Sequence, residues 1–192
     1  SSYGEIWWFY CSADSEEIDK YVIFNYEEQV WTYGNLSRTA WVDRGIITFP
    51  IASGGNNLFY QEFGLDDGST TPDSAISAFI ESSQLDVGDG ERFVHVSKLI
   101  PDVTFDGSTS TNPAVTFTLQ TRNNPGGEYL QTDSNTVTQS VAGTSSVVEQ
   151  FTQEVDVRLR GRSFAIKVSN SDLQNQWRLG TPRVEIRTDG RR

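Results

Sequence analysis

The 192-residue chain contains one cysteine, one histidine and no methionine. A single thiol excludes an internal disulfide framework, and one thiol with one imidazole cannot assemble a zinc site of soft ligands within a single copy. Cys11 closes the apolar run that starts at Ile6 and reads as a small buried hydrophobe. No methionine stands even at position 1, and a strand-like stretch starts at Glu5, which predicts a piece of a longer chain. No run approaches the roughly 20 apolar residues that a helical membrane span needs, and no basic segment leading into an apolar one opens the chain as a secretory signal would.

Recognisable catalytic patterns are also lacking. His95 has no Gly-x-Ser-x-Gly elbow to pair with, and no glycine-rich phosphate loop ends in Lys-Ser or Lys-Thr. Glu27 and Glu28 are adjacent, so on a strand they point to opposite faces and cannot flank one substrate as a glycosidase pair does. Asp86-Val-Gly-Asp-Gly-Glu91 sets oxygen ligands near glycine, but its spacing does not fit the twelve-residue calcium loop, and it reads as a hairpin turn. These absences predict a non-enzymatic chain with no metal and no cofactor.

Basic residues are scarce in one half only. Residues 1–91 hold 16 acidic against 3 basic side chains, a net of −13, whereas residues 92–192 hold 10 against 12. From Arg158 onward there are 9 basic and 3 acidic residues. An acidic half and a basic tail on one chain favour attraction between neighbouring copies. Arginine pairs with carboxylates and stacks on rings, and the chain is acidic overall, so the tail points to subunit contacts ahead of nucleic-acid phosphates. Both regions could equally be solvated faces.

What is present is aromatic and β-patterned. Tyr26, Trp31, Tyr33 and Trp41 sit among turn formers, and 36% of the residues are hydrophobic, enough for a packed core. Candidate strands run Glu5 to Ser12, Lys20 to Tyr26, Val30 to Leu36, Thr39 to Asp43, Ile46 to Ala52 and Leu58 to Phe63, with short polar turns between them. Such up-and-down strands, each with an aromatic, suit propeller blades or a meander. The polar stretch Leu65 to Asp73 interrupts them, so a first domain is expected over residues 1–66, a linker over 67–76, and a second domain over 77–192.

In the second domain, strands are expected at Ile76 to Ser83, Arg92 to Ile100 and Pro113 to Arg122, with Asp133 to Ser146 a long polar loop. Val155, Val157 and Leu159 alternate outward to a turn at Arg160-Gly-Arg162, and Phe164, Ile166 and Val168 alternate on the way back. Trp177 to Arg187 closes the chain. Two-residue periods throughout argue for a β-sandwich. The sole helical candidate, Thr71 to Ala78, is weak.

The string Tyr21-Val-Ile-Phe-Asn-Tyr-Glu-Glu28 with Trp31, then Arg38-Thr-Ala-Trp-Val-Asp43, Trp177-Arg-Leu-Gly-Thr-Pro-Arg183 and Asp189-Gly-Arg-Arg192 resembles the C-terminal part of the tail nozzle proteins of short-tailed bacteriophages. Some of these are described as tail tubular or packaged DNA stabilisation proteins. The resemblance implies an all-β chain, the end of a β-propeller-like domain followed by a β-sandwich, in a non-enzymatic virion protein of the tail. It further implies a homo-oligomeric ring, usually hexameric, below the portal and adaptor. Such a ring retains packaged double-stranded DNA and conducts it on ejection, with no cofactor and no small-molecule substrate.

On that resemblance Arg38 to Trp41 is structural, and Arg191 and Arg192 are contacts to a neighbouring subunit; Arg160, Arg162 and Arg187 join them as expected contacts. Asp14, Glu16, Glu17, Asp19, Asp66 and Asp67 are candidates to line the channel, because an acidic wall does not bind a polyanion in transit. Trp7, Trp31, Trp41 and Trp177 are the expected aromatic core. The competing reading is a carbohydrate- or receptor-binding sandwich of a tail component, with exposed Trp and Tyr stacking on sugars.

Overall fold

The structure, a computed structural model, describes residues 3–86, 91–123, 131–132, 138–139 and 143–190. It is all-β, and its described residues divide into two units, Ser1–Gly64 and Leu65–Arg192.

The first unit holds two antiparallel meanders. In one, β1 (Glu5–Tyr10), β2 (Lys20–Asn25) and β3 (Val30–Asn35) pair in order, with Trp7 opposite Ile23 and Ile23 opposite Thr32. The β2–β3 turn is set by its own sequence. The Asn25 side-chain oxygen accepts from the Glu27 and Glu28 amides at 3.0 and 2.9 Å, and Gln29 takes a positive φ of 58° to bring the chain back. In the other, β4 (Ala40–Val42), β5 (Ile51–Gly54) and β6 (Asn57–Tyr60) pair in order. Gly55 and Asn56 join β5 to β6 with positive φ at both positions, the two-residue turn whose twist matches the strands. The strand expected from Ile46 starts only at Ile51, after Pro50, which has no amide hydrogen to give to a ladder.

The two meanders meet through rings. Trp41 stacks on Trp7 at 5.5 Å and lies 5.2 Å from Phe9, while Trp7 stacks on Tyr21 at 5.1 Å. Ile23 and Ala52 are the unit's buried hydrophobic residues. Arg38 lies over Phe59 at 4.1 Å, packing its planar charge against the second meander.

The second unit is a sandwich. One sheet orders β14 (Gly143–Glu149), β11 (Ala114–Arg122), β16 (Ser163–Asn170) and β7 (Ala78–Glu81), and β8 (Leu85–Asp86) pairs with the other end of β16. The facing sheet orders β15 (Val155–Gly161), β9 (Val94–Ile100) and β18 (Arg183–Thr188). Two short ladders complete it, β10 (Val103–Thr104) with β17 (Arg178–Leu179) and β12 (Gln131–Thr132) with β13 (Thr138–Gln139). Strict alternation on β11 sends Val115, Phe117, Leu119 and Thr121 inward, against Val94, Val96 and Leu99 of β9, Leu159 of β15 and Phe164 of β16.

Several expectations need correction. Arg160-Gly161-Arg162 is not a hairpin turn: β15 and β16 belong to opposite sheets, and the chain changes sheet there. Gly161 permits the crossing, since a Cβ would stand 2.5 Å from that of Thr121, and the Arg162 amide donates to the Arg122 carbonyl at 2.8 Å. The strands flanking Asp86 to Gly90 also lie in different sheets, so no hairpin joins them; residues 87–90 themselves fall outside the described set. Of the loop expected over Asp133 to Ser146, positions 138–139 and 143–146 are strand and the rest is outside the described residues. Thr71 to Ala78 is not helical. Residues 67–76, read as a linker, group with the second unit, where Asp67 and Ser74 exchange backbone hydrogen bonds of 2.8 and 3.0 Å.

Candidate functional site

The expected lumen-facing acids separate into two kinds. Asp14, Glu16 and Glu17 project into solvent from the loop between β1 and β2. Asp19 closes that loop instead, accepting from the Ser12 amide at 2.7 Å and the Ser12 hydroxyl at 2.6 Å, and these bonds hold its carboxyl below the usual 3.8. In the second unit Asp66 accepts from the Gln174 amide at 2.7 Å and Asp67 from the Ser69 amide at 2.9 Å, so both carboxylates fasten loops. Three of the six proposed wall residues therefore have a local structural task in addition.

The arginines are engaged within the chain. Across the outer face of the β15-β9-β18 sheet, Arg160, His95 and Arg187 stand in one row, with Asp156, Lys98 and Glu185 in another. Like charges in a row repel. Arg160 relieves this by pairing with Asp189 at 2.5 Å and lying 4.1 Å from the Phe93 ring centroid, and Arg187 pairs with Glu185 at 2.8 Å, which lowers the Glu185 pKa. Arg162 lies 5.1 Å from the same Phe93 ring. In the second row Lys98 bonds Glu154 at 2.8 Å, which raises the Lys98 pKa. These pairs are solvent-exposed, so water and salt screen them and each adds little to stability. Arg191 and Arg192 lie outside the described residues.

The aromatic core expectation needs a correction. Trp7 and Trp41 are half-buried between the meanders, and half-buried Trp177 packs against the sandwich core. Trp31 is not core: it is 61% exposed, stacking on Phe24 at 4.6 Å and on Trp8 at 5.7 Å on the outer face of the first meander. That face is the feature sequence reasoning missed. Register places Ile6, Phe24 and Trp31 in one row and Trp8, Val22 and Tyr33 in the next, with Tyr10 beyond. Ile6, Trp8, Tyr10, Trp31 and Tyr33 are all exposed, Tyr33 by 74%. The signal was legible in Ile6-Trp-Trp-Phe-Tyr10: a strand apolar on both faces needs a partner on both. The second meander repeats the pattern, with Val42, Leu58 and Tyr60 exposed on its outer side.

Cys11 also departs from expectation. It lies just past the end of β1 and is exposed, because the strand stops at Tyr10 before the alternation could turn it inward. Among the described residues no three or more His, Cys, Asp or Glu side chains gather in a group able to hold a metal ion. His95 has Arg160 and Arg187 as cross-strand neighbours. No protein-family model matches the chain, and no curated protein is similar to it.

Proposed function

We propose that the chain is a non-enzymatic structural component of a phage virion tail, part of a homo-oligomeric, hexameric nozzle ring that retains packaged double-stranded DNA and conducts it on ejection. The observation that carries this reading is the open aromatic face of the first meander. A soluble domain rarely leaves so contiguous an apolar surface uncovered, and such surfaces mark contact with other protein. A sheet apolar on both sides is what a propeller blade requires, since each blade packs between two others. On this reading residues 1–66 are the final blade or blades of a propeller-like domain. Portal, adaptor and other tail proteins are the remaining partners.

The exposed carboxylates of Asp14, Glu16 and Glu17 fit a wall that repels its cargo, since each phosphate contact avoided is affinity avoided. Arg160, Arg162 and Arg187 are held by intrachain partners, so their share in subunit contacts rests on the ring faces and carboxylates a neighbour would add. The test is electron microscopy of the purified full-length protein, in which rings are expected and a field of single particles refutes the proposal. Replacing Asp14, Glu16 and Glu17 with lysine is expected to slow DNA release in an ejection assay; an unchanged rate removes the lumen assignment.

A further inference from the structure

The outer face of the β14-β11-β16-β7 sheet carries a feature that the nozzle reading does not use. Phe79, Ser169 and Thr116 stand in one cross-strand row, and Lys167 occupies the neighbouring row. Beyond the end of β16 the chain turns back over this row. Asn170, 8% exposed, fixes the turn: its amide nitrogen donates to the Ala114 carbonyl at 2.8 Å and to the Asp172 carboxylate at 3.0 Å, and its oxygen accepts from the Asp172 amide at 3.1 Å. These residues, with Asp172 and the half-exposed ring of Phe79, line a depression of about 310 Å³. Lys167 stands 4.7 Å from the Phe79 ring centroid and 3.8 Å from Glu81, a loose pairing that leaves its ammonium able to take another acceptor.

We propose that this depression binds a neutral saccharide. A sugar ring presents hydroxyls that both donate and accept, and an apolar C–H face. Here Asp172 accepts, Lys167 donates, the Ser169 and Thr116 hydroxyls do either, and Phe79 supplies the apolar contact. With Glu81 beside Lys167, the acidic side chains at the site outnumber the basic one, which disfavours phosphate-rich or strongly acidic ligands. Asn170 has spent its hydrogen bonds on the scaffold, so it preorganises Asp172 and does not itself reach the ligand. The volume is at the lower end of ligand sites and suits one or two sugar rings.

The test is an array displaying neutral hexose, N-acetylhexosamine and uronic acid termini, probed with the full chain, followed by titration of each retained sugar into isotope-labelled protein. Retention of a neutral terminus is expected, with shifts centred on Phe79, Lys167 and Asp172. Phe79→Ala and Asp172→Asn should each weaken binding roughly tenfold or more. Phe151→Ala, a ring 88% exposed outside the depression, should leave binding unchanged. All three sites are on the surface, and unchanged near-ultraviolet circular dichroism verifies folding. No retained terminus, retention of uronic acids alone, or binding indifferent to both Phe79→Ala and Asp172→Asn overturns the proposal. Each of these outcomes leaves the ring reading standing, because that is scored by microscopy.

Discussion

The two units of this chain use the same strand chemistry to different ends. The sandwich unit closes on itself: Phe117, Leu119, Val94, Val96, Leu99 and Leu159 are removed from water, and its polar side chains face out in ladders. The meander unit has more aromatic residues but buries few of them, with Ile23 and Ala52 as its core and Trp8, Trp31, Tyr33 and Tyr60 open to solvent. Apolar content is therefore a poor guide to where a core lies. What decides is whether a strand has a covering layer on each apolar face, and the sandwich supplies its own while the outer faces of the meanders stay exposed among the described residues.

That contrast can be broken by substitution. Phe117→Ala leaves a cavity in a closed core and is expected to cost about 3–5 kcal/mol, read as an early cooperative transition in urea. Gly161→Ala forces a methyl against Thr121 where the chain changes sheet; about 1–3 kcal/mol is expected in the same measurement. Trp31→Ala removes a ring stacked only on a surface, so a loss of about 1 kcal/mol or less is expected, together with reduced binding of a hydrophobic dye. A Trp31→Ala loss as large as that of Phe117→Ala would erase the distinction between the units.

Acid gives the smallest effect and sharpens the comparison further. Four of the five tryptophans lie in the meander unit, so indole fluorescence reports mostly on it. The Asp19 pKa is lowered by its bonds to Ser12, so its contribution to stability is present above 3.8 and is lost as pH falls through the depressed folded value. Fluorescence-detected stability should fall over that acidic window, and Asp19→Asn should flatten that part of the profile.

Much of the sandwich was legible in sequence because its strands alternate: β11 and β9 begin and end close to where the period of two placed them, whereas the closing strand expected from Trp177 begins only at Arg183. The sheet change at Gly161 was not, because Arg-Gly-Arg looks the same whether the next strand returns alongside or crosses over. The difference lies in the distant contact with Thr121 and Arg122. The candidate acids were visible as charges, but the hydrogen bonds that occupy Asp19, Asp66 and Asp67 depend on loop geometry. The sugar depression was invisible altogether, since Phe79, Thr116 and Lys167 are brought together only by strand register, and Asp172 by the turn that Asn170 fixes. Trp31 was misplaced for a related reason: aromatic character was read as burial, and the register that sets Thr32 beside Ile23 and Trp7, and so turns Trp31 to the other face, exists only in the fold.

The central claim is that the outer face of the first meander is made to be covered by other protein. Acrylamide quenching of indole fluorescence, measured on the isolated chain and on the proposed tail assembly, tests it directly. Trp8 and Trp31 are expected to be readily quenched in the chain and protected in the assembly. Equal accessibility of these two indoles in both samples would contradict it.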